Sequence, residues 1–456
     1  MYAEISPLDG RYRSRLEGLG QLFSEAALMQ ARTEVELRYL LAQEGLGLFE
    51  PFSAEENARI QEKLTSFGPE DHQRIKSIEG EIRHDVKAVE VYLGEVLGLR
   101  EPNRIHFALT SEDVNKLALG MLLRAYRDQH QLPQLRELVE TLVDAAEQWK
   151  GVAFPARTHG QPASPTTLGK ELSVFISRLL RQVRQLEALT FTGKLNGATG
   201  TYSAFDAAFP GVDWPAFSRA FVESLGLAPN PCTTQIEGYD SIAEYLAITS
   251  RVNGIVLDLD LDAWTYISHG DLIQRSRPGE VGSSTMPHKV NPIRFENSEG
   301  NLTLSTGLIH TLTEKLSRSR MQRDLSDMTV RRNIGVALAH AHLAIGQTIA
   351  GLEEIGVDAS ALQSKVDASP EVLAEAYQTI LRAAGTADPY GLLKTATRGK
   401  SVTLEALHAW IDELPVDRET QAKMKALTPS GYLGRAAEIC QQVVDEARTW
   451  LAASAQ

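Results

Sequence analysis

Apolar residues recur at three- and four-residue steps along most of this 456-residue chain, in runs longer than an ordinary helix. Leu135, Leu138, Val139, Leu142, Val143 and Ala146 fall on one such face, and Leu168, Leu172, Phe175, Leu179, Val183 and Leu186 on another. A third run, Ile242, Leu246, Thr249, Val252, Val256 and Leu259, follows Ser241 with Glu244 three residues on, which is capping-box spacing. Helices of globular proteins average about 11–12 residues, so apolar faces this long call for burial against one another. Strand-like runs are scraps, such as "VAF" from Val152 and "SVTL" from Ser401. The pattern predicts an all-α fold with long helices in a bundle.

Composition sets limits on function. At 43% hydrophobic and 23% charged the chain is ordinary globular material. A net charge of -13 argues against nucleic acid and against an anionic membrane surface as partners. Two cysteines far apart, Cys232 and Cys440, give neither a disulfide framework nor a zinc site. The opening "MYAEISPLDGRYRSRL" has acidic residues and no apolar core, so no secretory signal is expected and the cytoplasm is the expected location. The stretch Asn333 to Leu352 has no charged residue over a membrane-spanning length. Its Asn333, His340, His342 and Gln347 point instead to a helix buried in the bundle. Three segments are expected: shorter helices over 1–112, the long helices over 113–362, and short helices broken by turns over 363–456.

Polar chemistry gathers where helices break. "GEVGSSTMPHKVNP", Gly279 to Pro292, cannot be a helix interior, because its glycines are costly there and its prolines remove hydrogen bonds. It reads as a loop carrying Ser283, Ser284, Lys289 and Asn291. "IRHDVKAVE" sets Arg83 and His84 beside Asp85; "ALTSEDVN" places Thr110 and Ser111 ahead of an acidic helix start; "ARTHGQPASPTT" holds Thr158 and His159. "TTQIEGYD" offers Gln235, "RFENSEGN" offers Glu296 and Asn297, and "MQRDLSDMTVRRN" carries Arg323, Thr329, Arg331 and Arg332. Phosphate-loop, dinucleotide and H-E-x-x-H signatures are missing, and His340 and His342, two residues apart on a helix, do not face each other. No metal site is expected. Singly each cluster reads as a cap or a solvated face. Together they supply donors and cations for carboxylates and phosphate, two histidines and an activatable serine.

"GSSTMPHKVNP" resembles the signature of the fumarase/aspartase superfamily. "SPLDGRY", "IRHDVKAVE", "TSEDVN", "ARTHGQPASPTTLGKE", "NGATGTY", "TTQIE" and "TPSGYLGRA" make the chain similar, within that superfamily, to the adenylosuccinate lyases, the bacterial branch above all. The resemblance covers essentially the whole chain. It implies three all-α domains whose central helices join those of three other copies in a homotetramer, with active sites shared between subunits. It implies small-molecule substrates, adenylosuccinate cleaved to AMP and fumarate and SAICAR cleaved to AICAR and fumarate, with no cofactor.

The resemblance also assigns roles. Ser283 would take the carbon proton, although Ser284 is adjacent and sequence alone does not separate them. His159 would protonate the departing nitrogen, with Glu296 orienting it. Lys289 and Asn291 would stabilise the carbanion's charge, while Thr110, Ser111, Thr158 and Gln235 would grip the succinyl carboxylates; such preorganised donors are typically worth ~10²–10³ each in rate. Arg83, His84, Asp85 and Asn297 would contact substrate, and Arg11, Tyr12, Arg323 and Arg332 would bind phosphate. The chain departs from the pattern at Met328, where many relatives carry a serine that contributes to nucleotide binding, so that contact is lost or passes to Thr329. The competing readings are a sister enzyme, such as argininosuccinate lyase, fumarase or carboxymuconate cycloisomerase, and a non-catalytic structural member. "SPLDGRY" and "TTQIE" argue against the first. Joint retention of Ser283, His159, Lys289 and Glu296 argues against the second.

Overall fold

The computed structural model describes residues 4–275, 290–397 and 402–453. It is 68% helical. Among the described residues the strands are two-residue pieces joined in four pairs. The three apolar runs lie within the helices Leu132–Gln148, Leu168–Ala188 and Asp240–Ser268, and two more long helices follow, Ile293–Leu316 and Ile334–Glu353. The fold is all-α.

Chain contacts divide the molecule into two compact units, and the division falls inside these five long helices. One unit is Met1–Leu135, Gln182–Gly254 and Gly300–Gly346; the other is Arg136–Arg181, Ile255–Glu299 and Gln347–Gln456.

In the first unit, the helices Glu25–Glu44, Ala54–Thr65, Pro69–Ile82 and Asp85–Leu97 bury one apolar cluster that includes Leu37, Leu40, Ile60, Ile75, Val89, Tyr92 and Leu93. Their ends are written locally. Ser53 accepts from the Glu56 N–H at 3.2 Å while Glu56 accepts from the Ser53 N–H at 2.8 Å, and Pro69 opens the next helix. The capping box read at Ser241 does not form. Helix begins at Asp240, and the Ser241 hydroxyl is instead bonded to the Thr192 N–H (3.1 Å) and hydroxyl (2.8 Å), a tertiary use the spacing could not show. His340 and His342 are bundle histidines. His340 Nδ1 pairs with Asn301 Oδ1 at 2.8 Å, and burial, with His130 nearby, pushes His342 down to about 4.

In the second unit, Leu135's successors Leu138, Val139, Leu142, Val143 and Ala146 are wholly buried, as are Ile176, Leu179 and Val256 or nearly so. Gly169 lies against the Ala146 carbonyl, where an added Cβ would sit 2.4 Å from the oxygen, so only glycine permits this approach. Of the two strand scraps, Ala153–Phe154 pairs antiparallel with Thr166–Thr167. Ser401 lies outside the described residues, and Thr403 is a helix cap whose hydroxyl accepts the Ala406 N–H at 3.2 Å. A separate C-terminal cluster includes Leu373, Tyr377, Leu381, Leu407, Ile411 and Met424. The uncharged stretch falls in Ser326–Glu353, long and apolar enough to cross a membrane; 72% of its most apolar window is buried inside the protein.

Candidate active site

In the second unit His159 lies at the tip of a hairpin. Arg157–Thr158 pairs antiparallel with Gln161–Pro162, leaving His159 and Gly160 as the turn. Both have positive φ, 53° and 74°, as a two-residue turn matched to strand twist requires. Residues 157–162 are exposed. Glu296 sits in the first turn of Ile293–Leu316, exposed, and accepts a bond from Trp264 Nε1 at 3.1 Å. Asn297 beside it and Asn291 just before the helix are half-buried. Ser283, Ser284 and Lys289 lie outside the described residues.

In the first unit the acidic start of the Ser111–Tyr126 helix is more than a cap. Glu112 is buried and takes Arg323 at 3.0 Å and Arg331 at 3.3 Å. Burial alone would raise its carboxyl, yet the two guanidiniums and the Asn115 amide together hold Glu112 below its ordinary value. Asn115 donates to Glu112 at 2.7 Å and accepts from Arg32 Nε at 2.8 Å; Arg32 Nη2 then reaches Asp85 at 2.7 Å. Asp85 likewise is raised by burial, the largest single effect, and is held below its ordinary value by the charge and hydrogen bond of Arg32 together with the Val86 N–H. Its neighbour His84 caps the Asp85–Leu97 helix, Nδ1 accepting the Lys87 N–H at 3.1 Å, after Arg83 has turned the chain at φ 56°.

Asp113 anchors the rest. Its Oδ2 accepts the Thr110 N–H at 2.9 Å, and its Oδ1 meets Lys194 Nζ at 2.8 Å, both side chains being 0% exposed. Lys194 also donates to the carbonyls of Gly197 (3.0 Å) and Gln235 (2.9 Å). Thr110, Ser111 and Gln235 are thus held around one fully buried ion pair and are themselves half-buried.

A cavity of ≈ 490 Å³ in this unit is lined by Arg32, Asp85, Asn115, Met328, Arg331 and Arg332, among others. Arg332 is exposed whereas Arg331 is buried, bonded to the Tyr239 hydroxyl at 2.8 Å as well as paired with Glu112. Thr329 and Arg11 are exposed, Tyr12 is half-buried, and the Arg11 guanidinium lies 6.0 Å from the Tyr12 ring.

A family model described as "Lyase" matches residues 10–305, and one described as "Adenylosuccinate lyase C-terminal" matches residues 319–433. The adenylosuccinate lyase of Escherichia coli (strain K12) is 45% identical over 440 residues, covering 95% of this chain and 96% of its own. The chain belongs to the adenylosuccinate lyase family. Two solved structures share the architecture: fumarate lyase from Mesorhizobium sp. BNC1 (TM-score 0.78, 19% identity, 94% and 97% of the two chains) and 3-carboxy-cis,cis-muconate lactonizing enzyme from Pseudomonas putida (TM-score 0.77, 23%, 95% and 97%). At those identities the likeness concerns the fold alone. Like the rest of the adenylosuccinate lyase family, the chain is a lyase.

Within this adenylosuccinate lyase family member, sequence reasoning passed over Arg32, Asn115 and Lys194 entirely. Arg32 and Asn115 meet across 83 residues of chain, and such a contact leaves no local trace. Arg331 did leave one, the four-residue step from Asp327, which it approaches at 3.8 Å.

Proposed function

We infer that the chain eliminates fumarate from adenylosuccinate, leaving AMP, and from SAICAR, leaving AICAR. The observation that carries this reading is the 45% identity to an adenylosuccinate lyase along 95% of the chain. Proton removal beside a carboxylate places a second negative charge next to an existing one, so the barrier is electrostatic. Ser283 takes the proton, and Lys289 and Asn291 receive the developing charge. Thr110, Ser111, Thr158 and Gln235 hold the succinyl carboxylates. His159 then protonates the leaving nitrogen, oriented by Glu296; a positioned acid usually contributes ~10²–10⁴ in rate.

The exposure of His159 on a tight turn supports this role, since its ring is open to a ligand. For phosphate, Arg11, Tyr12, Arg323 and Arg332 are the binding groups, with Thr329 in place of the usual serine and Arg83, His84, Asp85 and Asn297 completing the substrate contacts. Of Arg323 and Arg332, which flank the short helix Ser326–Arg331, Arg332 is the stronger candidate, because Arg323 already faces Glu112.

Exposed apolar residues on the long helices, Val174, Leu261, Trp264, Ile293 and Leu304, support a homotetramer whose sites draw His159 and Ser283 from different copies. The separate apolar clusters of the N-terminal and C-terminal segments support the division 1–112, 113–362 and 363–456. A cytoplasmic location fits two unpaired cysteines. The test is direct: purified protein with no added metal raises AMP from adenylosuccinate. Turnover of argininosuccinate, malate or carboxymuconate alone rejects the reading.

A further inference from the structure

The hairpin carrying Thr158 and His159 has only two residue pairs, and a ladder that short does not hold a direction unaided. Along its stem lies a cavity of ≈ 360 Å³, lined by Arg157, Pro162, His269 and Lys365 among others, so close packing does not brace it there. An ionic link does. Arg157 Nη1 lies 2.9 Å from Oδ2 of Asp271, whose side chain is 0% exposed. The other oxygen of Asp271 accepts from Lys365 Nζ at 2.9 Å, and that ammonium also donates to the carbonyls of His269 (2.8 Å) and Gly270 (2.9 Å).

Asp271 is itself fixed. Its N–H donates to the Tyr266 carbonyl at 2.8 Å, so the carboxylate hangs from the end of the Asp240–Ser268 helix. Just beyond the hairpin's second strand, the Ser164 hydroxyl is bonded to Glu375, which also accepts from the Tyr432 hydroxyl at 3.4 Å. The hairpin is therefore held by polar links at its first strand and just past its second, and the first runs through a single buried carboxylate.

We propose that Asp271 is a positioning residue for the elimination: acting through Arg157, it sets the direction of the hairpin and hence where the His159 imidazole meets the departing nitrogen. This rests on the reading of His159 as proton donor. A shift of about 1 Å in a reacting group costs as much as ~10²-fold in rate, so loss of one link at the stem is felt at the tip.

The test uses the full-length protein and the adenylosuccinate assay on Asp271→Asn, Arg157→Gln, the two combined, Asp271→Glu and His159→Ala. Asp271→Asn and Arg157→Gln each lower kcat by roughly 10- to 100-fold, with KM rising less steeply than kcat falls. The double variant is no worse than the weaker single, because both break one link. The pH profile of kcat keeps its limbs and loses only height, and Asp271→Glu, which keeps the charge, recovers part of the rate. Normal kcat in folded Asp271→Asn or Arg157→Gln, multiplicative losses in the double variant, or a fall in Tm with turnover intact overturns the proposal. Should Asp271→Asn fail to fold, Arg157→Gln, at an exposed position, decides alone. The His159→Ala control separates the two claims: if it abolishes turnover while Arg157→Gln does not reduce it, Asp271 loses its role and His159 keeps its own; if it retains turnover, the proton-donor assignment is what fails.

Discussion

Replacing Lys194 by Met removes one half of a fully buried ion pair while keeping most of the side-chain volume. Two unit charges at the observed 2.8 Å attract by about 6 kcal/mol at an effective dielectric constant near 20. Burying each ion costs several kcal/mol, so the intact pair comes close to break-even. Loss of lysine alone does not. Asp113 would keep the N–H groups of Thr110, Asn196 (3.0 Å) and Gly197 (3.4 Å) but lose the Lys194 ammonium, leaving a buried charge uncompensated. Such losses run to ~3–5 kcal/mol, a large share of the ~5–15 kcal/mol that holds a typical domain. Urea unfolding at pH 7 and fixed protein concentration reads this as a lower midpoint at unchanged slope. Adding Asp113→Asn to Lys194→Met removes the stranded charge and keeps an oxygen for the Thr110 N–H, while its amide NH2 then faces the Asn196 and Gly197 N–H groups, so the double variant recovers only part of the loss. A Lys194→Met cost below about 1 kcal/mol, in the range of exposed pairs, or strict additivity in the double variant refutes the argument.

Burial pushes Asp260 up to about 8, against bonds from Ser298 and Thr348 that pull it down. With the folded value above the unfolded one, the folded state binds the extra proton between them, so this group's contribution falls as pH rises from about 4 to about 8, by up to ~1.4 kcal/mol per pH unit. Asp260→Asn carries no such slope, so urea midpoints of wild type and variant diverge steadily between pH 5 and 8; parallel curves refute the assignment. His159→Ala and Ser283→Ala each abolish turnover in a folded protein, and mixing the two under subunit exchange restores some activity. Continued inactivity after demonstrated exchange rejects shared sites.

The fold was legible because three- and four-residue apolar steps persist over helices of 17 to 29 residues, and a face that long has one solution. Where the reading failed, a tertiary partner had taken over a local signal. Ser241 has the spacing of a cap and spends its hydroxyl on Thr192. The hairpin under His159 was invisible because strands of two residues have no alternation to detect. Thr110 to Asp113 read as a helix start and are one, but the same acids also bind Lys194, Arg323 and Arg331 from distant segments. Nothing near Lys194 in sequence announces a lysine with no exposed surface.

His84 closes one nitrogen of its ring against the Lys87 N–H. A neutral imidazole so engaged must carry its hydrogen on Nε2, so the outward-facing atom can give a hydrogen bond and cannot take one. A ligand oxygen is welcome there and a ligand N–H is not. One ring thereby ties the polarity of an outward contact to the integrity of a helix end.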